Sequence, residues 1–523
     1  MNAEPGGPVG ALRIARNALS GAGTRLVTMC VGFLLTPFII TTLGVERYGL
    51  WAVVGSLAGY LGLLDFGLGG AFVKFITEYR ERGDHHAARQ VVTFGIVFYA
   101  AFGLVFALPV LLLAPFLVHA FKMPVAEYGE AATLLRVMFG LLVLTMIVNV
   151  PGMVIVSMQR MDIASRNNLL GYFAYALATV AFLELGYGLR GVVAGSAVQV
   201  AVTAIVQFRS AHRLFGSIWH DPRRFDGVLV RRLFGFGGWT QLTSIFQIVN
   251  LDVGRFIAAG IVSVSSVTYY EIASKLAFFT KMFPAYVLDA VMPAAAAADA
   301  RGDEGGLREM YASGTRYQIF LTLGIAGCLC GFAGPLVRVW LGKPYPFVSD
   351  LIFWLCLGYA ANSFTGIGTT ILRASGVPKY ETAMTAIGAI ANVASTIVLA
   401  RAFGIVGVAM ATAFGWFAAS VFFIAAFGRL RPNPFWSDIF SPALRMIVAC
   451  ALAAGTFAWL GRQAPVAGCF ANRFAGLAVL ALGAASYGIA FAALTWAFGV
   501  WRRDKPVLRA RWRELETKFG ARA

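Results

Sequence analysis

Residues 188–197 read Gly188-Leu-Arg-Gly191-Val192-Val-Ala-Gly-Ser196-Ala197, and residues 404–413 read Gly404-Ile-Val-Gly407-Val408-Ala-Met-Ala-Thr412-Ala413. The second stretch repeats the first at an offset of 216 residues. The same offset relates Gly21-Ala-Gly-Thr24-Arg-Leu26-Val-Thr28 to Gly237-Gly-Trp-Thr240-Gln-Leu242-Thr-Ser244, and Ile155–Arg160 to Ile371–Gly376. Apolar sequence repeats by chance, so one match carries little weight. One offset shared by three separated stretches predicts a duplicated unit.

Composition says what the unit is made of. Of 523 residues, 59% are hydrophobic and only 13% charged, against about 25% charged in soluble domains. A water-soluble globule could not cover so much apolar side chain. This disfavours a soluble enzyme, a disulfide scaffold, a disordered chain and a nucleic-acid-binding domain. Six scattered cysteines, chiefly in apolar runs, and five dispersed histidines give no metal-binding spacing and no catalytic constellation. Fourteen apolar stretches reach the ~20 residues a bilayer-spanning helix needs: about 20–43, 49–72, 91–118, 131–156, 167–186, 190–209, 233–260, 266–292, 315–340, 348–372, 382–402, 405–428, 442–461 and 473–500. The first is too long for a cleaved leader and reads as an anchor. Most of the 43 Lys and Arg fall on the side holding both termini, so the net charge of +18 has a cytoplasmic-loop origin.

The fold expected is therefore all-α and integral to the membrane. It has fourteen transmembrane helices in two six-helix bundles of the same orientation, plus two C-terminal helices. The divisions are 1–212 (spans 1–6), 213–431 (spans 7–12), 432–500 (spans 13–14) and 501–523, a basic cytoplasmic tail suited to anionic lipid. Parallel repeats about a membrane-normal axis are a transporter architecture, with substrate bound at the repeat interface.

Several motifs carry a family resemblance. They are Leu43-Gly-Val-Glu-Arg-Tyr-Gly49-Leu-Trp51, Leu64-Asp65-Phe-Gly67-Leu-Gly69-Gly-Ala71 and Arg373-Ala-Ser-Gly376-Val-Pro378-Lys379. With them the chain resembles the bacterial Wzx-type oligosaccharide flippases of the multidrug/oligosaccharidyl-lipid/polysaccharide exporter superfamily. The resemblance implies a MATE-like fold in the bacterial inner membrane. It also implies movement of undecaprenyl-diphosphate-linked oligosaccharide from the cytoplasmic to the periplasmic leaflet, for surface polysaccharide synthesis. A cationic cavity, drive by a proton or sodium gradient without a bound cofactor, and contact with a polysaccharide polymerase and chain-length regulator follow from the same resemblance. Nucleic acid is no partner. A lipid II flippase and a cation-coupled drug antiporter of the same superfamily are the alternatives. A membrane glycosyltransferase would need a larger outer loop than the chain provides.

Charges inside spans are costly and so mark candidates. Arg25 in span 1, with Thr24 and Thr28 beside it, and Lys281 in span 8 are read as cavity residues for a diphosphate. Arg25→Ala is expected to abolish export and Arg25→Lys to restore it partly. In span 7, Thr240, Thr243, Gln247, Asn250 and Gly254 share a helical face and suit a sugar path. Folding spans 7 and 8 about Ser263 sets Arg255 level with Glu271 and Asp252 level with Lys275, either as a salt-bridge ladder or as a gate or ion-coupling site. Asp65 is a further gate or coupling candidate. Arg136 and Glu184 are expected to snorkel to the outer interface.

Overall fold

The computed structural model describes residues 8–61, 68–120, 128–216, 242, 245–247, 249–250, 253–345, 347–431, 435–463, 470 and 473–501. The described residues hold helices and no strand. In order they are α1 (Pro8–Leu43), α2 (Val45–Leu61), α3 (Leu68–Glu81), α4 (His85–Ala120), α5 (Tyr128–Ser157), α6 (Met161–Glu184), α7 (Gly188–Phe215), α8 (Val253–Val262), α9 (Val264–Ala277), α10 (Phe279–Ala300), α11 (Glu304–Gly331), α12 (Ala333–Leu341), α13 (Val348–Asn362), α14 (Gly366–Ala374), α15 (Lys379–Leu430), α16 (Ser441–Leu460) and α17 (Arg473–Ala497). Seven helices among the described residues are long and apolar enough to cross a membrane, or nine if two bent pairs each count as one span. The pairs are α11–α12, bent by 69°, and α13–α14, bent by 40°. The chain is thus an all-helical, multi-pass membrane protein.

Two compact units divide it. The first holds Met1–Ile248 with Ser263–Thr268, the second Val249–Val262 with Tyr269–Ala523. In the first, α6 and α7 form a hairpin against α5 and α1, and α3 packs with α4 and α5. Phe72, Tyr99, Val150 and Ile155 fill its core. Arg136, expected to snorkel, donates through its Nη2 to the Leu111 carbonyl at 3.1 Å. Pro115 lies four residues after Leu111 in α4 and has no N–H to give it. Other helices must satisfy such carbonyls in a membrane. Arg136→Leu should destabilise the unit by about 1–3 kcal/mol, the cost of a stranded carbonyl. Adding Pro115→Ala restores the donor and should recover most of that loss in a thermal-unfolding assay. An equal loss in both backgrounds would disprove the pairing.

In the second unit α15 is a hairpin in its own right, broken at Gly404 (φ 59°, ψ −136°). Gly188 (φ 55°) begins α7 at the equivalent place of the first unit. The 216-residue offset recurs in packing. A Cβ on Gly152 would meet Gln207 at 2.7 Å, and one on Gly368 would meet Phe423 at 2.7 Å. Gly171 faces Thr203 and the Gln199 carbonyl, while Gly388, one residue beyond the position equivalent to Gly171, faces the equivalent Ala419 and Gly415 carbonyl. Helices α16 and α17 share the second unit's core, where Tyr487 and Cys450 lie against Gly327 of α11.

Candidate functional site

Within the first unit, α5, α6 and α7 leave a cavity of about 420 Å³ between them, reached also by α1 and α2. Thr145 and Asn149 of α5 line it at i, i+4 spacing, as do Asn168 and Tyr172 of α6. Helix α7 adds Ser196, Gln199 and Thr203, and Thr28 of α1 completes the polar lining. Gln207 Nε2 donates to Asn168 Oδ1 at 3.2 Å, so one Asn168 acceptor is already used. No formally charged side chain is among the lining residues. Of these polar residues, only Thr28 was named from sequence. The signal was present as polar positions three and four apart on otherwise apolar spans.

Arg25 is exposed and is not among the residues that line the cavity. The neighbouring turn holds Thr28, whose hydroxyl donates to the Thr24 carbonyl at 2.9 Å. Lys281, on α10, sets its Nζ 4.2 Å from the centroid of the Trp416 ring on α15, a cation–π distance. Among the described residues neither Arg25 nor Lys281 forms an ion pair.

Arg255 Nη2 approaches Glu271 Oε2 to 2.9 Å, as the hairpin geometry requires. Lys275 Nζ reaches the other oxygen of Glu271 at 3.8 Å. Asp65, Thr240, Thr243 and Asp252 lie outside the described residues, so the pairing foreseen between Asp252 and Lys275 does too. One carboxylate thus serves two cations. Glu271→Gln should lower the melting temperature, because it removes the carboxylate that both cations approach. Glu271→Gln combined with Arg255→Gln should recover part of that loss. A melting temperature unchanged in the single variant would show that the cluster is solvated.

One expectation changes. Asn250 is 1% exposed and belongs to helix packing: Asn392 Nδ2 of α15 donates to its carbonyl at 2.9 Å. Gln247 is half-buried. The motif from Arg373 to Lys379 makes a turn at Gly376 (φ 74°), and Arg373 Nε reaches Glu381 at 3.1 Å. Beside this turn Arg431 binds Asp299 at 2.7 Å and Glu304 at 3.0 Å. Hydrogen bonds from Ser375 and Arg431 hold the Asp299 carboxyl below the usual carboxylate range. The second cavity, about 590 Å³ near the start of α11, carries Arg431 and Glu304 already paired with each other.

An all-helical, multi-pass membrane fold with a polar cavity is an architecture that transporters use. Comparison with solved structures agrees on the fold. The lipid II flippase MurJ in an inward closed conformation superposes with a TM-score of 0.71, at 12% identity, over 93% of this chain and all of that one. An inward-facing multidrug-resistance MATE family transporter of the MOP superfamily gives 0.68 at 16% identity, over 77% of this chain and 94% of that one. A Shigella flexneri protein named as a candidate O-antigen transporter is 21% identical over 71% of this chain and 88% of its own length. A Yersinia pseudotuberculosis protein named for O-antigen export is 32% identical over 19% of this chain and 22% of its own length. The polysaccharide biosynthesis protein family model matches residues 42–350. The chain belongs to that family, and the resemblance to Wzx-type flippases of the exporter superfamily is borne out.

Proposed function

We propose that the protein flips undecaprenyl-diphosphate-linked oligosaccharide repeat units from the cytoplasmic to the periplasmic leaflet of a bacterial inner membrane. It does so by alternating access of two six-helix bundles within fourteen spans, both termini being cytoplasmic. The observation that carries the reading is a neutral polar cavity, with two cations that form no ion pair among the described residues, in a membrane protein of a polysaccharide family. A diphosphate cannot enter a low-dielectric cleft unescorted, because burying an unpaired ion costs several kcal/mol. Arg25 in the first unit and Lys281 in the second each lower that cost for an anion that reaches them. Sugar hydroxyls find amides and hydroxyls in the cavity. Coupling to a proton or sodium gradient belongs to the Glu271 cluster or to Asp65.

Deletion of the gene tests this. Lipid-linked repeat units should accumulate on the cytoplasmic leaflet while surface polysaccharide disappears. Intact polysaccharide with new drug sensitivity would favour an antiporter, and arrested cell-wall synthesis would favour lipid II as substrate.

A further inference from the structure

The cavity of the first unit has a feature that the flippase reading does not require: its polar lining is neutral throughout. Amides come from Asn149, Asn168 and Gln199, and hydroxyls from Ser196, Thr203 and Tyr172. Arg25, the cation nearest in sequence, lies outside the lining. We propose that this cavity recognises uncharged sugar residues of the transported unit and rejects acidic ones. The proposal rests on the flippase reading and names the substrate class of its sugar site.

Complementarity is the argument. A sugar hydroxyl both donates and accepts, and so does each amide and hydroxyl in the lining. A carboxylate only accepts, and a hexuronate placed here would give up its hydration with no charged side chain among the described lining residues to receive it. Specificity is then a penalty against the wrong ligand as much as an attraction for the right one. The site is also held in shape. Gln207 occupies the Asn168 carbonyl, which leaves the Asn168 amide N–H groups as donors. Gly171 and Gly195 let α6 and α7 approach so closely that Thr203 and Thr179 stand where a Cβ would go. The Tyr172 ring and the apolar side chains Met138, Leu141 and Val200 offer the surface that a sugar's C–H face needs. A volume of about 420 Å³ falls in the range of small-molecule sites.

The test uses the full chain in lipid nanodiscs with three probes. These are undecaprenyl diphosphate, the same carrier bearing an uncharged N-acetylhexosamine–hexose disaccharide, and the carrier bearing a disaccharide with a hexuronate. The uncharged disaccharide should tighten binding roughly tenfold over the bare carrier, as one or two well-made hydrogen bonds would. The hexuronate should give no gain. Gln199→Ala should lower the tenfold ratio to less than about threefold. Gln199→Lys should turn the preference toward the hexuronate, a result that mere loss of packing would not produce. An equal gain from both disaccharides, or a ratio unmoved by Gln199→Ala, overturns the proposal while leaving the flippase reading intact. Failure of the bare carrier to bind at all overturns the flippase reading, and this proposal with it.

Discussion

Lys281→Ala should abolish surface polysaccharide while the protein still reaches the membrane at normal level. Lys281 lies in an apolar helix, its ammonium rests on the face of Trp416, and it has no acidic partner among the described residues. A charge in such a helix is costly to the fold, and an anionic substrate would offset that cost. A charge-assisted bond to a phosphate oxygen is worth about 1.5–3 kcal/mol, or roughly one to two orders of magnitude in binding. Lys281→Arg should restore export in part. It keeps the charge and can stack on Trp416, but it replaces a compact ammonium with a planar fork. Arg25→Ala should act in the same direction. Its effect should be smaller than sequence alone suggests, because Arg25 is exposed and does not line the cavity. Normal export from Lys281→Ala, measured at matched protein level, would reduce Lys281 to a packing residue on Trp416.

Gly407→Leu should remove folded protein from the membrane altogether. A Cβ at this position would overlap the carbonyl oxygen of Leu399, and the obstacle is backbone, not a side chain able to swing away. The two arms of α15 would have to separate. Overpacking of a tight core already costs about 1–3 kcal/mol, and a clash with immovable backbone exceeds that. The equivalent Gly191→Leu meets the Phe182 side chain and backbone at 3.0–3.3 Å, so its loss should be smaller. The readout is a monodisperse peak in size-exclusion chromatography with its thermal midpoint. Wild-type yield from Gly407→Leu would contradict the hairpin packing.

These two positions differ in how readable they were. Gly407 stands inside the repeated stretch, because glycine at that spacing is what close helix approach needs. Arg255 and Glu271 were found by counting outward from a turn, since a hairpin of two helices sets equal distances level. The cavity of the first unit was not found. Thr145 and Asn149 share a face of α5, as Ser196, Gln199 and Thr203 do of α7, but the convergence of these faces depends on how the helices rotate about their axes. Asn250 shows the reverse error: its helical face is polar, yet it is taken up by Asn392. Arg136 read as an interfacial charge because Pro115, whose missing donor it supplies, is 21 residues away on another helix. The bends after Gly331 and Asn362 left no mark in the apolar pattern. Periodicity measures composition along a helix and is silent on a change of its direction.

The most direct measurement is transbilayer movement in proteoliposomes. The purified chain is reconstituted with undecaprenyl-diphosphate-linked oligosaccharide, and the fraction of sugar open to an added, impermeant glycosidase is followed over time. The account predicts that protein-containing vesicles expose the sheltered pool, while empty vesicles and vesicles with Lys281→Ala retain it. Equal protection in vesicles with and without the wild-type protein would contradict it.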